Sequence, residues 1–155
     1  MNAEVIKAFT SAARDVLAQE LGEPIELQDA RLQGGPYRVG DITVVVGLAQ
    51  DIEGAVLMCL SKPTARQYLS SILGEEVEEL DEIALSGIGE LGNMIAGTAG
   101  ARLSELGYTT VIAPPTVFVD GGTISTLTLP RLVVPVRSPF GSLDLQLAAR
   151  IHVNP

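Results

Sequence analysis

One glycine-rich stretch, residues 78–107, constrains the fold of this chain more than any other. Its apolar residues recur at spacings of three and four, which places them on one face of a single helix that packs against a core. They are Ala84, Ile88, Leu91, Ile95, Ala99, Leu103 and Leu106. Glycines interrupt this helix at positions 87, 89, 92, 97 and 100, each at a cost of about 1 kcal/mol relative to alanine. We infer that a sheet or a partner approaches the helix backbone closely.

A second stripe lies on roughly the opposite side of the same helix and consists of Ser86, Glu90, Asn93 and Gly97. The carboxamide of Asn93 donates and accepts hydrogen bonds without carrying charge, so it can hold a water molecule beside a phosphoryl group without repelling that group. Phosphoryl transfer requires positioning more than a strong base. An ordinary solvated helix face accounts for the same residues, since most polar side chains are simply exposed. The polar stripe is therefore the candidate site, with a solvated surface as the alternative.

The composition indicates one folded domain over residues 1–155. The chain is 46% hydrophobic and 19% charged, which is typical of a globular protein with a sizeable core. Its net charge of -9 argues against nucleic acid and anionic membranes as partners. The charged, amphipathic N-terminal segment is unlike a signal peptide, and no segment has the ~20 apolar residues of a membrane span. We expect a cytoplasmic protein.

Capping residues predict two helices shorter than the central one. Asn2 is suited to begin the first helix, which Gly22 ends. Ser61 is suited to begin the second, with a proline in its first turn and Gly74 at its end. The acidic residues between 75 and 82 are expected to be solvated and to favour the start of the central helix through its dipole.

The remaining segments have the pattern of strands. Residues 41–49 and 54–61 form an expected antiparallel hairpin, because a short connection joins two apolar runs. Residues 108–120 are extended but broken by Pro114 and Pro115, which cannot donate to a sheet. The DGG sequence at 120–122 predicts a turn. Residues 123–136 form either one strand kinked at Pro130 or two separate strands.

The last strand shows the clearest alternation in the chain. Its apolar positions predict a buried face: Leu143, Leu145, Leu147, Ala149, Ile151 and Val153. The positions between them predict a wet face, and His152 on that face is expected at the surface. The expected fold is α+β: a single domain of about six mostly antiparallel strands, with a long central helix and two shorter helices packed on one face of the sheet.

Several kinds of chemistry are excluded by what the sequence lacks. It has no phosphate-binding loop of the Walker type and no Cys/His constellation for a metal. His152 is the only histidine, so no serine–histidine–aspartate set is convincing. The single cysteine, Cys59, lies in an apolar run and is expected to be a buried small hydrophobe.

The sequence SGIGELGN resembles the helix motif of the CheC–CheX–FliY chemotaxis phosphatases. That motif places an Asp or Ser, a Glu and an Asn where this chain has Ser86, Glu90 and Asn93, and a proline follows, here Pro114 or Pro115. The hairpin ITVVVGLAQDIEGAVLMCLS and the strand-rich C-terminal part are also similar to the family. One copy of the motif resembles the CheX branch, whereas CheC proteins usually carry two.

The resemblance implies a phosphatase that removes phosphate from the aspartyl phosphate of a CheY-like receiver domain. Asn93 would orient the attacking water, and Glu90 would pair with the receiver's lysine. The receiver would supply Mg²⁺, so the chain needs no metal or cofactor of its own. Other residues expected to face the receiver are Ser86, Gly89, Gly97 and Pro115. A CheX-like chain is also expected to form a homodimer whose sheets join edge to edge.

Two other functions are compatible with the sequence. One is a non-catalytic scaffold of the same fold that binds receivers, similar to proteins of the flagellar switch; the presence of both Glu90 and Asn93 argues against it. The other is a regulatory domain that binds a small molecule, with the glycine-rich helix lining a pocket.

Overall fold

Three helices lie on one side of the sheet in a computed structural model that describes residues 2–125 and 129–152. They are α1 (Ala3–Leu21), α2 (Lys62–Leu73) and α3 (Glu82–Glu105). The central helix α3 has 24 residues, compared with 19 for α1 and 12 for α2. The expected long helix and two shorter ones are confirmed.

The predicted caps set the ends of these helices. Each helix begins after a residue whose side-chain oxygen accepts a hydrogen bond from the backbone N–H three residues on. These residues are Asn2, Ser61 and Asp81, at distances of 2.9, 3.2 and 2.8 Å. Gly22 and Gly74 end α1 and α2 in the left-handed conformation, at φ 66° and 69°.

The start of α3 differs from the prediction. The helix was expected from residue 78, but it begins at Glu82 because Asp81 has extended backbone and caps it. The acidic segment before Asp81 lies outside the helix, and its carboxylate residues are exposed as expected. At the other end, Leu106 caps the last turn and is 45% exposed, so it does not belong to the buried stripe.

Within the described residues, ten strands form two antiparallel sheets. They are β1 (Glu26–Leu27), β2 (Arg31–Gln33), β3 (Tyr37–Arg38), β4 (Ile42–Gln50), β5 (Ile52–Leu60), β6 (Thr110–Ile112), β7 (Thr116–Val119), β8 (Thr123–Ile124), β9 (Arg131–Ser138) and β10 (Gly141–Ile151). The main sheet has the order β1-β9-β10-β5-β4-β6, with β2 also on β9 and β7 also on β4. Eight strands therefore occupy six positions, in agreement with the expected sheet of about six. The other two strands, β3 and β8, pair with each other.

The predicted connections between strands are found. The hairpin β4–β5 pairs from Ile42 with Leu60 to Leu48 with Gly54. Pro114 and Pro115 separate β6 from β7, and both strands pair with β4, so the chain bends at the prolines as expected. The segment around Pro130 forms two separate strands, β8 and β9, with residues 126–128 outside the described part.

The main core lies between the sheet and the helices. Its fully buried large side chains include Phe9 and Leu17 from α1, Ile88, Ile95 and Leu103 from α3, and Ile42, Met58 and Leu145 from the sheet. Burial of such apolar side chains contributes about 1.5–3 kcal/mol each, which holds α3 firmly against the strands.

The outer face of the sheet, on the side away from the helices, is more buried than predicted. Gln146 and Ala148, expected in solvent, are 6% and 1% exposed. The small β3–β8 sheet covers this outer face, where Tyr37 and Val39 pack in a second cluster with Ala55 and Leu57. His152 is exposed as expected, with Nδ1 3.3 Å from a carboxylate oxygen of Glu53, whereas Val153 lies outside the described residues.

Candidate functional site

The polar stripe predicted on the central helix is present on the surface of α3. Ser86, Glu90 and Gly97 are exposed, and Asn93 is half-buried. Glu90 and Asn93 are three residues apart in a continuous helix, so their side chains lie next to each other on one face. The site therefore offers a carboxylate and a carboxamide within one helical turn.

These polar side chains are free to bind a partner. Among the described residues, no side chain or backbone group forms a hydrogen bond with the side chains of Ser86, Glu90 or Asn93. A structural role would normally tie such groups to neighbours, as Ser70 is tied to the backbone of Arg66 and Val77. The three side chains are therefore available to water or to a partner.

The buried side of α3 fixes the position of this stripe. Ile88, Leu91, Ile95, Ala99 and Leu103 are buried as predicted, and Ala84 is half-buried. Gly92 lies directly over β4: a Cβ at this position would be 2.7 Å from Cγ1 of Val44. The expectation that a sheet approaches the helix backbone is confirmed here.

Gly89 has a different role from the one predicted. It was expected on the surface, where it would let a receiver come close, but it is buried. A Cβ on Gly89 would lie 3.1 Å from Cγ2 of Val117 and 3.7 Å from Cγ of Pro115. Gly89 therefore makes room for β7. Gly97 has no atom within 4 Å of its Cβ position and matches the expected open surface.

The structure distinguishes the two prolines by their contacts. Pro115 is half-buried and packs near Gly89, whereas Pro114 is exposed. Further along the helix, Gly100 faces Ile112 on the other side of the proline break, with 3.1 Å from its Cβ position to Cδ1. Asn93 lies between Gly89 and Gly100, so the proline segment runs beside the turn of α3 that carries Asn93.

Other candidates for chemistry lie away from this helix. Cys59 is half-buried rather than buried as expected, and desolvation raises the pKa of its thiol to about 11, so it is a poor nucleophile at neutral pH. Within residues 2–125 and 129–152, no group of His, Cys, Asp and Glu side chains is arranged to hold a metal ion. None of the helices described has an apolar stretch long enough to cross a membrane.

One buried charge was missed by the sequence analysis. Arg131, at the start of β9, is only 1% exposed and lines a cavity on the outer face of the sheet. The alternation of β9 places it on the same face as the buried Val133, and this parity was the one available signal. An arginine beside an apolar run is ordinarily read as the edge of a strand, so burial was not foreseen.

Comparison with known proteins agrees with this geometry. The family model described as chemotaxis phosphatase CheX matches residues 42–137. The CheY-P phosphatase CheX of Thermotoga maritima is 36% identical over 125 residues, which is 76% of each chain. The family model includes both the hairpin and the helix in which the sequence resemblance was noted.

Solved structures have the same fold along nearly the whole chain. The chemotaxis protein CheX from Desulfovibrio desulfuricans is 28% identical, with a TM-score of 0.82 over 96% of this chain and 99% of the other. A CheX–CheY–BeF3–Mg²⁺ complex from Borrelia burgdorferi is 26% identical, with a TM-score of 0.78 over 96% of this chain and 99% of the other. From the family match and the close relative, the chain belongs to the CheX family of chemotaxis phosphatases.

Proposed function

We propose that this protein hydrolyses the aspartyl phosphate of a CheY-like receiver domain. The observation that carries the proposal is the pair of unbonded side chains, Glu90 and Asn93, one turn apart on the exposed face of a helix that the core holds rigidly. The relative from Thermotoga maritima is named as a phosphatase of CheY-P, which supports this substrate. The complex that contains CheY supports a receiver as partner.

In the proposed reaction, Asn93 orients the attacking water. Its carboxamide oxygen accepts a hydrogen bond from the water, which turns a lone pair of the water oxygen towards phosphorus. The water oxygen bonds to phosphorus while the bond from phosphorus to the aspartyl oxygen breaks. The receiver's aspartate leaves as a carboxylate, and the second water proton moves to a phosphate oxygen, giving inorganic phosphate. Asn93 keeps its own protons throughout, since no strong base is required.

Glu90 has a docking role in this proposal. Its carboxylate would repel a phosphoryl group, but it can pair with a lysine that the receiver places beside that group. Mg²⁺ held by the receiver would neutralise charge on the phosphoryl oxygens. The complex of the Borrelia relative contains both Mg²⁺ and BeF3, which supports a metal on the receiver's side. The present chain is proposed to hold no metal itself.

The remaining surface around the pair completes the receiver contact. Ser86 lies one turn before Glu90, and Gly97 one turn after Asn93, both exposed. Gly97 has open space above it, so a receiver loop can approach the helix backbone there. Pro115 contributes by packing against the helix at Gly89 and fixing the neighbouring segment. Gly89 is buried, so in this proposal it makes room for β7 and does not contact the receiver.

The test separates turnover from binding. Asn93→Ala is expected to lower phosphate release from a phosphorylated receiver by about 10²–10³-fold, because one positioned group at the reacting centre is lost. Its affinity for the receiver should change little. Ser104→Ala, on an exposed position near the end of the same helix, is the matched control and should behave as wild type. If Asn93→Ala weakened binding but left the rate of the bound complex intact, these roles would be wrong.

The same assay decides between catalysis and scaffolding. A chain that binds receivers without accelerating phosphate release would act as a scaffold of the same fold. Acceleration by wild type, together with its loss in Asn93→Ala, would establish the phosphatase and place its chemistry on α3. We favour the phosphatase because the family is one of chemotaxis phosphatases and because the exposed Glu90 and the half-buried Asn93 share one face of α3.

We also propose that the protein is a cytoplasmic homodimer. The resemblance to the CheX branch supports a contact between the sheet edges of two copies of the chain. Val111 on β6 and Phe118 on β7 support it as well, because they are 52% and 37% exposed beside one edge of the main sheet. Light scattering should give twice the monomer mass of 16.3 kDa. A monomer at tens of micromolar would overturn this part of the proposal.

A further inference from the structure

A cavity of about 690 Å³ lies on the outer face of the main sheet, on the side away from the helices. Its floor is formed by β5, β9 and β10, and its rim by the segment from residue 31 to residue 41. A volume of this size falls within the range of small-molecule sites in proteins. The phosphatase residues of α3 do not line it, so the cavity is separate from the proposed active site.

The guanidinium group of Arg131 is buried in the wall of this cavity and is held in a fixed orientation. Its Nε donates to Oε1 of Gln146 at 2.9 Å, and its Nη1 donates to the carbonyl of Gly35 at 2.7 Å. The ring of Tyr37 lies against it, with 5.3 Å from the ring centroid to Cζ. These contacts preorganise the group before any ligand arrives.

This buried positive charge has no negative partner within the part of the chain that the structure describes. No carboxylate oxygen of those residues lies within 4.0 Å of it. No described group accepts a hydrogen bond from Nη2. A charge removed from water without a counter-charge is costly, and Nη2 remains to donate a hydrogen bond to a carboxylate or a phosphate. The unmet charge therefore indicates an oxyanion.

The other charged residues of the cavity restrict the kind of ligand that it can bind. Arg31 and Arg38 add positive charge at its exposed rim, whereas Asp41 and Asp144 add negative charge. Asp41 already accepts the backbone N–H of Lys62 at 2.9 Å. The half-buried Asp144 can therefore accept a hydrogen bond from a ligand that carries a donor group as well as an anionic group.

We propose that this cavity binds a small molecule that carries a phosphate or carboxylate group together with a hydroxyl or amino group. The oxyanion pairs with Arg131, and the donor group pairs with Asp144. This binding site uses none of the proposed phosphatase residues, since it lies across the sheet from Asn93. It gives the protein an input for a metabolite in addition to its contact with a receiver.

Calorimetry and amide chemical shifts test this site with defined probes at constant ionic strength. Inorganic phosphate and glycerol phosphate represent phosphate ligands, and succinate and malate represent carboxylate ligands. Glycerol phosphate and malate carry alcohol hydroxyls that the first compound of each pair lacks, so each should bind more tightly than that first compound. Shift changes should cluster at Arg131, Gln146 and Asp144. No saturable binding by any of the four probes at millimolar concentration would overturn the proposal.

Arg131→Gln removes the charge and is expected to weaken probe binding by about tenfold or more. Arg137→Gln is the matched control, because Arg137 lies on the same strand and the same face but is exposed. It should bind as wild type. Asn93→Ala should also bind as wild type, which excludes attachment of phosphate at the proposed active site. Equal binding by Arg131→Gln and wild type would overturn the assignment.

A second set of variants covers a failure of Arg131→Gln to fold. Arg31→Gln and Arg38→Gln change only exposed rim residues, and the double variant should weaken binding severalfold. If the double variant bound as tightly as wild type, the cavity would not be the site. A further outcome is probe binding that appears only when the protein is diluted to a monomer. A second copy of the chain would then fill the cavity in the dimer, and the proposal would be wrong.

Discussion

Replacing Gly92 with alanine tests how closely the central helix lies on the sheet. The added Cβ would be 2.7 Å from Cγ1 of Val44 and 3.7 Å from Cγ2 of Val46, and both valines are fully buried. Valine has a stiff χ1 angle, so the Val44 methyl group cannot turn away freely. The helix must move off β4, or Val44 must adopt a strained rotamer.

The change in the free energy of unfolding follows from two opposing effects. Overpacking of a core costs about 1–3 kcal/mol. Alanine is a better helix former than glycine by about 1 kcal/mol, which offsets part of that cost. The free energy of unfolding of Gly92→Ala should therefore fall by about 0–2 kcal/mol. Gly97→Ala has the same helical gain and no clash, since nothing lies within 4 Å, so it should be stabilised by about 0.5–1 kcal/mol.

The most informative measurement compares the stabilities of these two variants. Urea unfolding followed by circular dichroism suits this chain, which contains no tryptophan. The two free energies of unfolding should differ by about 1–3 kcal/mol, and each kcal/mol should shift Tm by about 2–4 °C in a domain of this size. If Gly92→Ala were as stable as Gly97→Ala, the close approach of α3 to β4 would be refuted. Gly97→Ala should still reduce receiver binding if a receiver loop contacts that position.

Three further results are expected. Cys59 should resist a thiol reagent at pH 8 until the protein unfolds, because burial raises the pKa of its thiol to about 11. The pKa of the thiol in the unfolded chain is about 8.5. The stability that the neutral thiol contributes is therefore full below about pH 8.5 and is lost as the pH rises towards 11. Fast labelling of the native protein would contradict this. Asp81→Ala should lower the free energy of unfolding by about 1 kcal/mol in urea titrations, since α3 loses its N-cap, and an unchanged midpoint would contradict the cap. Glu90→Gln should weaken receiver binding and reduce its dependence on salt, whereas Glu105→Gln on the exposed end of α3 should change neither; equal salt dependence in both would argue against an ion pair at Glu90.

Much of the fold follows from local signals in the sequence. Asn2, Ser61 and Gly74 set helix ends because capping depends on one side chain or one backbone conformation. The hairpin β4–β5 follows from two apolar runs and a short connection. The start of α3 was misplaced because acidic residues suit both a first helical turn and the segment before a cap, and only the conformation of Asp81 distinguishes them.

The missed features depend on distant parts of the chain. Gln146 and Ala148 look solvent-facing in their own strand, but β3 and β8 have two residues each and no periodic pattern that would reveal a cover. Gly89 and Gly97 are alike in sequence, and only the path of β7 decides that one is buried. The polar stripe itself was predicted from spacing alone, because residues three and four apart share a helix face.

Both borders of the main sheet are built from two short strands with a break between them. β1 and β2 share β9 on one side, and β6 and β7 share β4 on the other, where Pro114 and Pro115 interrupt the ladder. The longest uninterrupted border strand has four residues, so a second copy could add only about four backbone hydrogen bonds there. At about 1 kcal/mol net each, these bonds alone would hold two copies together only at millimolar concentration. The broken borders thus protect the chain from fibrous self-assembly, and any stable dimer must derive most of its affinity from side chains such as Phe118.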